Sequence, residues 1–120
     1  MVRYDNMSNK LYDWLDKWCY SYNVDKNILA NFFNLENKLG ITYFETDYVK
    51  KRFAFIEIKE YLRNYPFACK SVCWHEFCHA EVWVRDGYTD GHSTAWVKRM
   101  LRKPWYVIGC VYAQIICIGK

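Results

Sequence analysis

Proline and glycine are scarce in this sequence, two and five residues among 120, and that scarcity argues against a linker or a disordered tail. Long hydrophobic runs are missing as well. The longest, Trp105 to Ile118, covers 14 residues and includes Gln114, too short to cross a bilayer as a helix; it reads as buried strand, and no membrane partner is expected. The N-terminal stretch MVRYDNMSNK has no apolar core of a signal peptide, so an intracellular protein, in cytoplasm, nucleoid or nucleus, is expected. A paired CxxC…CxxC zinc knuckle is also lacking. The six cysteines (Cys19, Cys69, Cys73, Cys78, Cys110, Cys117) are therefore expected to be reduced, small core residues.

What is present is core-forming material: 52% of residues are apolar and 20% aromatic. The length suits one domain spanning residues 1–120, and a monomer is expected. Ser8 is placed to cap a helix through about Tyr20, with Leu11, Trp14, Leu15 and Trp18 forming one apolar stripe. A second helix is read from about Asp25 to Asn37, through Ile28, Leu29, Phe32, Phe33 and Leu35, with Gly40 as its stop. Two strands follow, Ile41–Thr46 and Arg52–Lys59, able to pair antiparallel. Pro66 suits the first turn of a long helix to roughly Arg85, ended by Asp86-Gly87. A further helix is read over Ser93–Arg102, closed by Pro104; Tyr106–Ile118 then reads as one or two short strands with a turn at Gly109. This order points to an α+β fold with N-terminal helices and a small antiparallel sheet.

The net charge of +4 is unevenly spread. Residues 1–48 carry five Lys/Arg against seven Asp/Glu, and residues 49–120 carry twelve against six. The basic excess, notably Lys50-Lys51-Arg52 and Lys98-Arg99 with Arg102-Lys103, fits an anionic partner such as nucleic acid. Cations placed at helix C-termini would account for the same residues.

All three histidines fall between residues 75 and 92. His75-Glu76-Phe77-Cys78-His79 is an HExxH sequence inside the predicted long helix, and i, i+4 spacing puts both imidazoles on one helix face, within reach of a single ion. Catalytic zinc uses three protein ligands and an open fourth position. Glu76 is then the candidate general base. A metzincin pattern would need Gly and His where Val82 and Arg85 stand, and no downstream Glu exists, since Glu81 is the last one. His92 remains as third ligand, with Asp86 and Asp90 as weaker candidates in the loop between.

Read together, His75-Glu-Phe-Cys-His-Ala80, then Asp90-Gly-His92 with Trp96 four residues on, resembles the SprT-like zinc metalloproteases, which include the Spartan-type proteases that degrade proteins crosslinked to DNA. The resemblance covers about Phe55 to Arg102. It implies a zincin-like arrangement, Zn²⁺ held by His75, His79 and His92, and an aromatic role for Trp96. Ser93 stands where the family usually has glycine, and the cysteine-rich zinc module common at the C-terminus of bacterial members is not seen in this sequence.

The expected activity is zinc-dependent endopeptidase action on a protein or peptide substrate, with Glu76 activating the attacking water. DNA-bound proteins are the substrate class that the resemblance implies, with DNA contacted through Lys98, Arg99, Arg102 and Lys103. An extended substrate would add to an edge strand, for which Phe53–Lys59 is the candidate; Tyr88 is a candidate oxyanion donor, and Trp83, Trp96 and Trp105 candidate cleft walls. Two other readings remain. One is a peptide-deformylase-like hydrolase, whose glycine-rich companion motifs are missing; the other is a non-catalytic DNA- or protein-binding module with a structural or vestigial zinc site.

Overall fold

The structure is a computed structural model that describes residues 6–89 and 91–120. Its elements run α1 (Asn6–Tyr22), β1 (Ile28–Phe33), β2 (Gly40–Thr46), β3 (Arg52–Lys59), a 3₁₀ turn (Glu60–Asn64), α2 (Pro66–Asp86), α3 (Thr94–Met100) and α4 (Trp105–Ile116). The class is α+β, four helices with one three-stranded sheet. In α1 the expected stripe does face inward: Leu11, Leu15 and Trp18 are buried. Ser8 lies inside this helix rather than at its cap.

The predicted second helix is instead strand β1. Its burial alternates residue by residue, with Ile28, Ala30 and Phe32 inside and Leu29 and Phe33 outside. Alternation is the period of a half-buried strand, and the segment takes it because parallel pairing with β3 satisfies its backbone (Ile28 opposite Ala54 through Phe33 opposite Lys59). The strands β2 and β3 pair antiparallel as expected, Gly40 opposite Ile58 through Thr46 opposite Arg52. The sheet is therefore mixed, in the order β1-β3-β2. This places Arg52–Lys59 at the centre, so the proposed edge strand is not an edge; β2 and β1 are.

The helix α2 is the axis of the fold. Residues on nearly every side of it are buried, including Val72, Trp74, Phe77 and Ala80. Ala54, Ile56 and Ile58 of β3 are buried in the same core, and Trp18 of α1 meets Trp74 edge-on at 5.0 Å. Pro66 opens α2 and Gly87 closes it in the left-handed conformation. The last carbonyls of α2 are covered by Arg52, whose guanidinium donates to Val84 O at 3.3 Å and Arg85 O at 3.0 Å. One member of the basic clusters is thus a helix C-terminal cation.

The second correction is α4. The stretch Tyr106–Ile118 is not strand; through Ile116 it is helix, packed along α2, and a turn follows. Gly109 makes no turn; it is where the two helices touch, since a Cβ there would lie 1.8 Å from Ser71 Oγ and 2.5 Å from Ser71 Cβ. Among the described residues no helix is long and apolar enough to cross a membrane. All six cysteines are free, four of them buried.

In an ordinary helix Gly→Ala gains up to about 1 kcal/mol. At this contact the sign should reverse: Gly109→Ala is expected to cost about 1–3 kcal/mol by overpacking, read from urea unfolding, with Ser71→Gly in the same chain recovering part of the loss.

Candidate metal centre

The central helix carries His75 and His79 on one face, as i, i+4 spacing requires, and their Nε2 atoms lie 3.3 Å apart. His92 comes from the segment just before α3, and its ring centroid sits 5.3 Å from His75 and 5.1 Å from His79. One ring nitrogen from each of the three lies within 4.8 Å of the others. The structure thus brings together all three histidines of the chain. Asp86 is held elsewhere, accepting from Arg99 at 3.1 Å, and Asp90 lies outside the described residues.

What carries His92 to this point is the docking of α3. Ser93 caps that helix, its hydroxyl accepting from Trp96 N at 3.3 Å, with φ −64°. Extended backbone there takes a side chain without strain, so serine in the family's usual glycine position is accommodated. Trp96, one turn on, donates its indole N–H to His75 O at 3.3 Å. Its ring stacks on His79 at 5.0 Å and 16° and lies 4.4 Å from His92. It is a wall of the cluster. Beneath, Glu81 is 2% exposed and binds both Arg102 (2.5 and 3.3 Å) and Arg99 (3.2 Å). Arg102 in turn lies over the Tyr22 ring at 3.7 Å.

The electrostatics favour neutral imidazoles. Burial, then the neighbouring His79 and His92, push His75 down to about 3. Burial and His92 lower His79 to about 4, opposed by a hydrogen bond with the backbone of Gly91. Neutral nitrogens with free lone pairs are the form that binds a metal. Three such donors in a half-buried cluster, with no carboxylate or thiolate among the described residues completing the set, suit zinc with one position left open.

Glu76 adjoins the cluster, its Oε2 3.7 Å from His75 Nε2. It is 7% exposed, and burial raises its pKa to about 7 against the opposing effects of Thr42 and Lys38. Its other oxygen accepts from the Thr42 hydroxyl at 2.8 Å. Thr42 sits on edge strand β2, and nothing in a lone strand threonine marks it in the sequence. Gly40, two residues earlier, lets β2 come this close, because a Cβ there would be 3.0 Å from Glu76 Cγ. A groove of about 760 Å³ opens beside His75 and Glu76, bounded by residues 36–40 on one side and by Cys110 and Gln114 of α4 with Cys117 just beyond it on the other.

Other candidates fall elsewhere. The Trp83 indole donates to Phe53 O at 2.9 Å and Glu45 O at 3.2 Å, tying α2 to the sheet rather than lining a cleft. Trp105 is half-exposed on α4, and Tyr88 is exposed in the loop after α2. Of the four proposed DNA-contacting cations, Arg99 and Arg102 are engaged with Glu81, and the Lys103 ammonium lies 5.7 Å from the Trp74 and Trp105 ring centres. Lys98 is exposed.

If this cluster is the metal centre, the chain binds one zinc per molecule. Zinc measured by mass spectrometry after dialysis should be lost in His92→Ala and kept in Asp90→Ala; the opposite pattern would assign the third ligand to Asp90. Compared with known proteins, residues 8–104 match the model described as SprT-like family. No curated protein and no solved structure matches the chain.

Proposed function

This chain belongs to the SprT-like family, and from that premise we propose that it is a zinc-dependent endopeptidase whose ion is held by His75, His79 and His92. The observation that carries the reading is the pairing of an open three-nitrogen cluster with a buried carboxylate at its side, Glu76. A structural zinc site closes with four protein donors and has no use for an adjacent base, which weighs against a purely structural or vestigial centre.

Bound there, the ion supplies Lewis-acid chemistry, lowering the pKa of water and polarising the scissile carbonyl. The chain's own residues do the rest. Glu76 takes the proton of the attacking water and hands it to the leaving amine. Thr42, donating to Oε1 of Glu76, turns the other oxygen toward the cluster. The substrate backbone lies extended along the outer edge of β2, which among the described residues has no strand beyond it in the sheet, and the groove next to Glu76 receives its side chains. Recognition through main-chain hydrogen bonds gives weak sequence preference.

Proteins bound or crosslinked to DNA are the proposed substrates. With two of the four cations engaged by Glu81, the phosphate contact rests on exposed Lys98 and on Lys103. An intracellular setting belongs to the same reading, and six free thiols are in keeping with a reducing compartment.

Glu76→Gln should keep its zinc and lose about 10²–10⁴-fold in cleavage rate on an unfolded protein or a DNA-binding protein. Thr42→Val should lose less, since the base remains and only its orientation suffers. Assays with and without single-stranded DNA test the substrate class: stimulation that Lys98→Ala reduces supports it. Cleavage that persists in Glu76→Gln would remove the proposed base.

A further inference from the structure

The helix α4 presents a feature that neither the metal cluster nor its groove uses. Its inner face (Tyr106, Gly109, Ala113) is buried against the body of the protein, yet its outer face is also apolar. Trp105, Ile108, Val111, Tyr112, Ile115 and Ile118 are each between 44% and 75% exposed. A helix that is apolar all round is ordinarily covered all round. At roughly 150–250 Å² for a large side chain, these exposures leave on the order of 500–900 Å² of largely apolar surface in water. That is at or above the largest patch of a typical monomer, about 300–600 Å², and spans the ~800 Å² that each partner contributes to a standard protein interface.

We infer that this face is the two-fold interface of a homodimer, in which α4 packs against α4 of a second copy. Three observations select that occupant. No ionised side chain lies between Lys103 and Lys120, so the face meets no like charge when it meets itself, as an isologous contact requires. Trp105, Ile108, Tyr112 and Ile115 recur at spacings of three and four, the rows from which helix–helix ridges and grooves are built. A lipid-surface helix, in contrast, sets a cationic polar face opposite its apolar one. The opposite face of α4 is buried protein, and its lysines stand only beyond its ends.

The interface lies outside residues 8–104, the span matched by the family model. It also adjoins the groove, because Gln114 of the same helix and Cys117 just after it line that groove. The second copy therefore stands beside the candidate substrate path without entering the metal cluster. This assignment does not depend on the peptidase reading, and it is an alternative to the monomer expected from the sequence.

The test is sedimentation velocity with light-scattering chromatography on the whole chain between about 1 and 100 µM. A closed dimer is expected. Ile108→Glu combined with Ile115→Glu, and separately Val111→Lys, should shift the chain to monomer by weakening association at least ~100-fold, with circular dichroism and zinc content unchanged. Three results would overturn the inference: a wild-type monomer throughout this range, open-ended assemblies, or a dimer that survives both variants. A monomeric wild-type chain that floats with phosphatidylserine-containing vesicles would assign the face to a membrane surface instead.

Discussion

The buried carboxylate of Glu81 is the interaction on which the candidate site depends. Two of the three nitrogen donors come with α2, but His92 arrives from a separate segment, and that segment stays in place only if α3 is held against α2. Glu81 does this from the α2 side, receiving Arg99 and Arg102 together. A carboxylate at 2% exposure is costly unless paired, and removing one partner from such a group costs on the order of 3–5 kcal/mol; with the two arginines partly exposed, the lower end applies. Arg99 and Arg102, which read in the sequence as part of a nucleic-acid patch, thus serve as the fastening of the segment that carries His92.

Around this clamp the molecule is organised to bury one helix on nearly all sides while leaving a groove beside His75 and Glu76. Small residues make that burial feasible: Ala68, Cys69, Ser71, Cys73 and Ala80 are fully buried along α2, and Gly109 brings α4 into contact with Ser71. Where Gly40 lets β2 approach, the groove is lined by Glu76 and His75, and Thr42 of the same strand bonds Glu76. Burial bears directly on the base proposed at Glu76, since the environment that raises its pKa is the kind that makes a carboxylate a competent base.

Much of this was legible in the sequence wherever a pattern had only one physical reading. The stripe of α1, the Pro66 start and Gly87 end of α2, the helix beginning near Ser93 and the pairing of β2 with β3 are of that kind. The convergence of the three histidines belongs with them, since i, i+4 spacing leaves His75 and His79 little choice and no other histidine exists. Two segments were ambiguous. Ile28, Leu29, Phe32 and Phe33 satisfy a helical period as well as a strand, and the parallel partner that decided for strand is 26 residues away in register. In α4 an all-round apolar composition leaves no period at all, and its β-branched residues then suggest strand. Thr42 and the engagement of Arg99 and Arg102 by Glu81 are long-range pairings that no local pattern announces.

X-ray absorption at the zinc edge tests most directly whether His75, His79 and His92 form a three-imidazole centre with an open position. The expected first shell is three imidazole nitrogens and one light oxygen donor at about 2.0–2.1 Å. A sulfur donor near ~2.3 Å, four protein nitrogens, or the absence of bound zinc in a folded chain would contradict it.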